Sequence, residues 1–224
     1  MKKFLLSWAV ASLTICIMSQ AMAVTFVLQP TDGKDTELTQ TLPYFNWGSR
    51  EYLTENWGDD YSSKGLIEFD LSSIAGVSVT SAVFSVYHKS NNVEGLSFGL
   101  YQVTQSWDEH LVTWNSAPSY NNFPESIMNV DDSLVDIWRN WDISNLAQGW
   151  VSGTYDNYGV LLTDINHINP RAYFLSSDNM LGDLYDPKLT IEYSTNPIPE
   201  PATMLLLGSG LLGLLGFRKK RKVK

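Results

Sequence analysis

The side chains best suited to chemistry in this chain are aromatic and crowd into one early segment. Five Tyr and Trp rings lie within residues 44–61, a stretch also rich in Asn, Asp, Gly and Ser. An aromatic ring can pack on the apolar face of a sugar ring while nearby polar groups bond to its hydroxyls. We therefore predict a carbohydrate-binding site made by the following residues: Trp47, Tyr52, Trp57, Tyr61, Asn56 and Asp59.

The bland alternative for these rings is burial, because aromatic side chains bury a large area and often belong to a protein core. The same segment also carries Tyr44. On this alternative the segment folds back and covers its own rings. Trp138 and Tyr155 are weaker candidates for sugar binding elsewhere in the chain.

Clustered carboxylates suggest a second kind of site. Calcium prefers hard oxygen ligands, which acidic loops supply. The candidate ligands are Asp32, Asp35, Asp59 and Asp60, and further acidic residues lie between 178 and 186. No EF-hand spacing is present, so the prediction is a structural calcium ion, and the alternative is an acidic surface without an ion.

Catalytic constellations are not recognisable in the sequence. Neighbouring carboxylates such as Asp108 and Glu109 would point to opposite faces of a strand. The histidines lack metal-ligand spacing, and no strand-turn-helix Gly-x-Ser-x-Gly motif occurs. We predict a non-catalytic protein. A polysaccharide-active enzyme, with a carboxylate pair assembled from separate strands, is the less favoured alternative.

The N-terminus has the pattern of a signal peptide. Two lysines precede the apolar stretch Phe4–Met18, and Ala21-Met22-Ala23 supplies small residues for cleavage by signal peptidase. This predicts a signal peptide over residues 1–23. A lipoprotein alternative would use Cys16, but Ile15 stands where a small residue is expected.

The C-terminal residues 199–224 combine three features of a membrane-directed segment. Pro199-Glu200-Pro201 is followed by an uncharged apolar run over 202–217 and a basic tail over 218–224. The apolar run has 16 residues, so a helix would reach roughly 24 Å against a hydrocarbon core of about 30 Å. This length is slightly short for a permanent span, so a temporary membrane segment and an ordinary tail anchor are both open at this point.

Between these segments lies one predicted domain over residues 24–194, followed by a linker over 195–198. It has seven basic and twenty-three acidic residues, a formal charge of −16. Such a surface cannot release counterions from phosphates, which argues against nucleic acid as a partner. The one cysteine of the chain lies in the predicted signal peptide, so the domain's stability must come from its core.

Short alternating segments predict an all-β architecture. Lys188–Tyr193, Ala82–Tyr87 and Leu96–Tyr101 alternate between apolar and polar residues, and turn-forming residues separate such runs. From Ile143 onward, apolar residues recur at helical spacing through Trp150. The expected fold is an antiparallel β-sandwich with one short helix covering one end.

The C-terminal features resemble the PEP-CTERM sorting signal of Gram-negative bacteria. The resemblance rests on Pro199-Glu200-Pro201, the Leu- and Gly-rich run and the Arg/Lys cluster. It implies that an exosortase, a membrane cysteine protease-transpeptidase, cuts near this motif and releases the protein or transfers it to the cell surface. Such proteins tend to come from bacteria that make an exopolysaccharide matrix, where biofilm-associated proteins act.

The domain resembles the DNRLRE domain over about residues 25–193. Its most distinctive motif runs from Trp107 to Pro118, and Trp141-Asp142-Ile143 with Gly149-Trp150 extends the match. That family is similar to carbohydrate-binding module family 96. The resemblance implies a jelly-roll sandwich, with glycan binding in some members and a structural role in others.

Together these features predict an exported, non-catalytic protein at the cell surface or in the extracellular matrix. Its expected ligand is exopolysaccharide, and its processing partners are signal peptidase and exosortase. The runner-up is a structural or adhesive matrix protein that does not bind glycan. We assign Trp107, Trp114, Trp141 and Trp150 mainly to the core.

Overall fold

The computed structural model describes residues 22–29, 33–56, 62–91, 95–130, 134–165 and 171–195. Within residues 54–56 only the backbone is described. Residues 23–195 form one compact unit. The predicted sorting segment, the signal peptide up to residue 21, and Trp57, Asp59, Asp60, Tyr61 and Asp32 lie outside the described residues. No helix in the described residues is long and apolar enough to cross a bilayer.

The described residues form two antiparallel sheets and one α-helix, which confirms the predicted all-β sandwich. The elements are β1 Met22–Leu28, β2 Gly33–Thr39, β3 Tyr52–Asn56, β4 Ser63–Phe69, β5 Ser78–Asn91, β6 Leu96–Gln102, β7 Ser126–Val130, β8 Ile137–Asp142, α1 Ser144–Val151, β9 Val160–Asp164, β10 Arg171–Leu175 and β11 Lys188–Thr195.

The two sheets have different strand orders. The first has the order β1-β11-β5-β10-β3, with β8 paired to the other edge of β5. The second has the order β2-β4-β9-β6-β7. Strand β5 is 14 residues long, so β11 and β10 pair with successive parts of it. The loop between β10 and β11 therefore leaves and returns along one edge of β5.

The main core lies between the sheets and is rich in aromatic rings. Phe84 and Trp141 pack with ring centroids 5.8 Å apart, and Phe98 and Phe174 pack at 5.1 Å. The indole N–H of Trp141 donates to the carbonyl of Phe98 at 3.1 Å, so this buried polar group is satisfied. The burial of Trp141 is as predicted from the sequence.

A second hydrophobic cluster explains the Trp107 motif. Leu66 and Leu161 are fully buried, yet they belong to this cluster, while their neighbours Ile67 and Leu162 belong to the main core. Adjacent residues on a strand point to opposite faces. Segment 103–120, with Trp107, therefore covers the outer face of the second sheet. The indole N–H of Trp107 donates to the Tyr158 carbonyl at 3.0 Å.

Helix α1 closes one end of the sandwich, as its spacing predicts. Leu146, Ala147 and Trp150 are buried against the core. Ile143 occupies the N-cap position, and Asp142 lies one residue before it. The Asp142 carboxylate still accepts hydrogen bonds from the backbone N–H and hydroxyl of Ser144, at 2.9 and 2.6 Å. It thus satisfies a helix-terminal donor from one position upstream.

Candidate functional site

The structure separates two of the aromatic residues predicted to act together. Trp47 follows β2 and forms an isolated β-bridge with Glu37 of that strand, in the second sheet. Tyr52 begins β3, in the first sheet. Asn56 ends the same strand. The sequence-predicted cluster is therefore divided between two sheets at the positions that are described.

Trp47 is held in place by charged and aromatic neighbours. The guanidinium of Arg50 lies 4.9 Å from its ring centroid and also pairs with the Glu37 carboxylate at 2.6 Å. The Phe45 ring packs against it at 5.5 Å. Phe45 and Tyr44 are themselves well exposed. These contacts hold the half-buried Trp47 ring in the 44–50 loop. Its role in sugar stacking stays a prediction.

Tyr52 belongs to a larger group of rings on the outer face of the first sheet. In β5, residues 82, 84, 86 and 88 are buried in the core, so the alternating positions that include Tyr87 point outward. Tyr87 is directly opposite Trp138 of β8 in the register. We call this surface the aromatic face, and it consists of the following half-buried residues: Tyr52, Tyr87, Trp138, Tyr173 and Tyr185.

The rings of the aromatic face contact one another edge to face. Tyr87 lies 5.5 Å from Trp138 and 4.7 Å from Tyr185, measured between ring centroids. Tyr52 and Tyr173, on paired strands, lie 5.8 Å apart at 82°. Edge-to-face contacts of this kind stabilise and orient aromatic side chains. The rigid sheet therefore presents a set of fixed rings.

Polar and charged groups accompany these rings. The ammonium of Lys188 lies 3.8 Å from the ring centroid of Trp138. Lys89 pairs with Asp136, whose backbone carbonyl accepts a hydrogen bond from the Tyr87 hydroxyl at 2.8 Å. Burial, first of all, raises the pKa values of Tyr52 and Tyr87. The Tyr87 hydroxyl already donates its proton to Asp136, and the Tyr52 hydroxyl bonds to Glu51, so both can act as acceptors toward the hydroxyls of a sugar.

Three carboxylates from distant parts of the chain meet beside β2. Oxygen atoms of Asp35, Glu109 and Asp178 all lie within 4.8 Å of one another. Asp35 is 1% exposed, and its carboxylate accepts the backbone N–H of Ser177 at 2.8 Å. Glu109 accepts the backbone N–H of Asp35 at 3.0 Å. Such a set of oxygens could hold a calcium ion.

Burial and neighbouring negative charges raise the pKa values in this carboxylate group. Burial is the main cause that raises the pKa of Asp35 to about 7, and the neighbouring charges of Glu109 and Asp178 act in the same direction. Burial also raises the pKa of Glu109. Binding of either a proton or a cation lowers the energetic cost of a buried negative charge in this position. Calcium binding stays a prediction.

The loop position predicted for Asp35 is wrong. Asp35 lies in the middle of β2, which pairs with β4 over all seven residues. The turn-like residues Asp32 and Gly33 suggested a loop, but the ladder with β4 overrides that local preference. Sequence reasoning included Asp178 and missed Glu109, since Glu109 was considered only as the neighbour of Asp108. The fold, not sequence spacing, brings these carboxylates together.

Comparison with known families identifies the domain. Residues 27–193 match the model of carbohydrate-binding module family 96. The chain belongs to carbohydrate-binding module family 96. Modules of this class are non-catalytic domains. This agrees with the prediction, made from the sequence, of a non-catalytic protein.

Two further similarities extend beyond the module itself. Residues 197–222 match the PEP-CTERM protein-sorting motif, which indicates export and sorting to the cell surface. The chain is also 24% identical over 195 residues to a gellan lyase from a Bacillus species. That alignment covers 85% of this chain and 8% of the lyase. The chain thus spans a small part of that protein, and the similarity carries no evidence of catalysis.

Proposed function

We propose that this family 96 module binds exopolysaccharide through the aromatic face, at the cell surface or in the extracellular matrix of a Gram-negative bacterium. The observation that carries the proposal is the presence of five rings, from different strands and one loop and in two contact groups, on the outer face of one sheet. Family membership supports a carbohydrate ligand, and the sorting motif supports the location.

The geometry suits a sugar chain in two ways. Rings such as Tyr87 and Trp138 offer apolar area for the faces of sugar rings. The ammonium of Lys188 can donate hydrogen bonds to sugar hydroxyls, and the hydroxyls of Tyr52 and Tyr87 can accept them. Because Lys188 lies over Trp138, a sugar that stacks on that side either displaces the ammonium or accepts a hydrogen bond from it.

The proposed route to the surface uses both ends of the chain. Signal peptidase removes residues 1–23, and the apolar segment 202–217 anchors the exported protein transiently in the inner membrane. An exosortase then cuts near Pro199-Glu200-Pro201. Replacing these three residues should leave the protein in the inner-membrane fraction, and unchanged release would contradict this route.

The binding proposal can be tested with residues 23–195, which contain both sheets and both hydrophobic clusters. The organism's own exopolysaccharide is immobilised in a native gel, and retardation of the protein is measured. Trp138→Ala should abolish most of the retardation. Trp47→Ala and Trp57→Ala test the site predicted from the sequence in the same gel.

The outcomes separate the alternatives. Loss of binding in Trp57→Ala but not in Trp138→Ala would move the site to the 57–61 segment and reject the aromatic face. If the unaltered protein binds neither this polysaccharide nor a broad glycan panel, the structural or adhesive role replaces glycan binding. Hydrolysis of the glycan, lost on a single carboxylate substitution, would instead support the enzyme alternative.

A further inference from the structure

A polar groove lies where helix α1 meets the end of β6 and the segment leading into β7. It consists of two adjoining clefts of about 350 and 340 Å³. The clefts share Glu125, Asn145 and Leu146, so they form one continuous depression. None of the rings of the aromatic face lines it.

The fold holds the side-chain amides of Gln102 and Asn121 in this groove. Gln102 ends β6 and is only 7% exposed. Its side-chain oxygen accepts a hydrogen bond from the Asn121 amide at 2.9 Å, and its backbone carbonyl accepts the Asn121 N–H at 2.9 Å. Glu125 is fixed at its backbone by a hydrogen bond to the Leu100 carbonyl at 2.7 Å. Preorganised polar groups of this kind provide orientation and specificity in a ligand site.

A tyrosine ring forms the remaining wall. Tyr155 is 49% exposed, and its ring rests on Gly149 of helix α1, where an added Cβ would overlap it. The backbone N–H of Tyr155 donates to the Gly149 carbonyl at 3.2 Å. Because Gly149 has no side chain, the Tyr155 ring can pack against the helix beside the amides. One side of the ring contacts the helix, and half of the residue remains open to a ligand.

The charges of the groove restrict the kind of sugar. Its described lining residues include the carboxylates of Glu125 and Asp142 and no Lys or Arg. Asp142 accepts both Ser144 hydrogen bonds at Oδ1, which leaves its Oδ2 and the Glu125 carboxylate as acceptors for hydroxyls. A carboxylated sugar would meet like charge here, whereas a neutral sugar offers hydroxyls to the amides and to Glu125.

We propose that this groove is a second carbohydrate-binding site, specific for neutral sugar residues, in which Tyr155 stacks on the sugar ring. Asn121, Asn145 and Glu125 bond to its hydroxyls. The inference rests on the proposed carbohydrate-binding function but uses none of the residues of the aromatic face. Two sites on one domain allow it to hold two segments of one polymer or to join two polymers.

The groove contains no tryptophan among its described lining residues, whereas the aromatic face contains Trp138. Residues 23–195 are titrated with cellohexaose, laminarihexaose and maltohexaose. Side-chain amide and tyrosine-ring NMR signals report on the groove, and the indole N–H signal of Trp138 reports on the aromatic face. We expect at least one hexasaccharide to shift the Asn121, Asn145 and Tyr155 signals.

Two variants then test the role of the ring. Tyr155→Ala should weaken the groove binding about tenfold or more, because a stacking ring is lost, whereas Tyr155→Phe should retain it. Gly149→Ala should displace the ring and weaken groove binding similarly without lowering the melting temperature, since alanine favours a helix over glycine. Trp138→Ala should leave the groove signals unchanged.

The proposal is overturned if no neutral hexasaccharide shifts the groove signals, or if the shifts persist at the same affinity in Tyr155→Ala. Preferential binding of oligogalacturonate by the groove would overturn its specificity for neutral sugars. The Trp138 indole signal is read in the same titrations, so failure of the groove and failure of the aromatic face are distinguished.

Discussion

Asp35 makes the stability of this domain depend on pH in an uncommon direction. Its carboxylate is buried beside Glu109 and Asp178, and its pKa rises from 3.8 to about 7. The folded protein therefore keeps a proton that the unfolded chain loses between pH 3.8 and pH 7. Since the unfolded state binds fewer protons in this range, stability falls as pH rises through it.

The magnitude follows from the difference between the two pKa values. In the absence of a bound cation, ionised Asp35 costs about 4 kcal/mol of folding free energy above pH 7. At pH 5 the cost is smaller, about 2 kcal/mol, because most molecules retain the proton in the folded state. Asp35→Asn removes the charge and keeps an oxygen that can accept the Ser177 N–H, so it should remove the cost.

The assay is thermal and urea unfolding of residues 23–195 at pH 5 and pH 8 in chelator-treated buffer. At pH 8 Asp35→Asn should be more stable by up to about 4 kcal/mol, roughly 10 °C in melting temperature, and the advantage should shrink at pH 5. Asp70→Asn is the matched control, because backbone and hydroxyl hydrogen bonds from Ser72 lower the pKa of exposed Asp70. Equal pH dependence in the unaltered protein and Asp35→Asn would refute the reasoning.

The other stability predictions concern calcium, the core and one glycine. Calcium at pH 8 should raise the melting temperature of the unaltered protein but not of Asp35→Asn, because an ion bound only to the folded state stabilises it; no shift relative to magnesium contradicts the calcium prediction. Trp141→Ala should cost about 3–5 kcal/mol in urea unfolding, since it leaves a cavity and removes the hydrogen bond to the Phe98 carbonyl; a loss below about 1 kcal/mol would contradict the assigned packing. Gly159→Ala should cost more than Gly153→Ala, because both have positive φ but only a Cβ at Gly159 overlaps the Ile67 carbonyl; equal losses would show that this close approach is absent.

The architecture was predictable where sequence pattern and burial agree. Leu189 and Ile191 alternate with polar neighbours and are both fully buried. The helix at Ser144–Val151 followed from apolar spacing, and its burial is as expected. The Trp107 motif was assigned to the core, and it packs in the second hydrophobic cluster. In each case the local pattern of apolar and polar residues determines which side chains are buried.

The sites were less predictable because they depend on contacts between distant residues. Tyr52 was chosen for its aromatic neighbours in sequence, yet its described ring partner is Tyr173 on β10. Tyr87 stood in a predicted strand, and its outward position was available from the alternation, but nothing local connected it with Trp138 or Tyr185. Sheet order and the loop between β10 and β11 bring these rings together.

The most direct test of the proposed function compares exopolysaccharide binding by Trp138→Ala, Trp47→Ala and the unaltered domain, measured by isothermal titration calorimetry. Loss of the Trp138 ring should weaken binding about tenfold or more, whereas Trp47→Ala should bind like the unaltered domain. Far-ultraviolet circular dichroism confirms that the variants are folded. Unchanged affinity in a folded Trp138→Ala protein would contradict binding through the aromatic face.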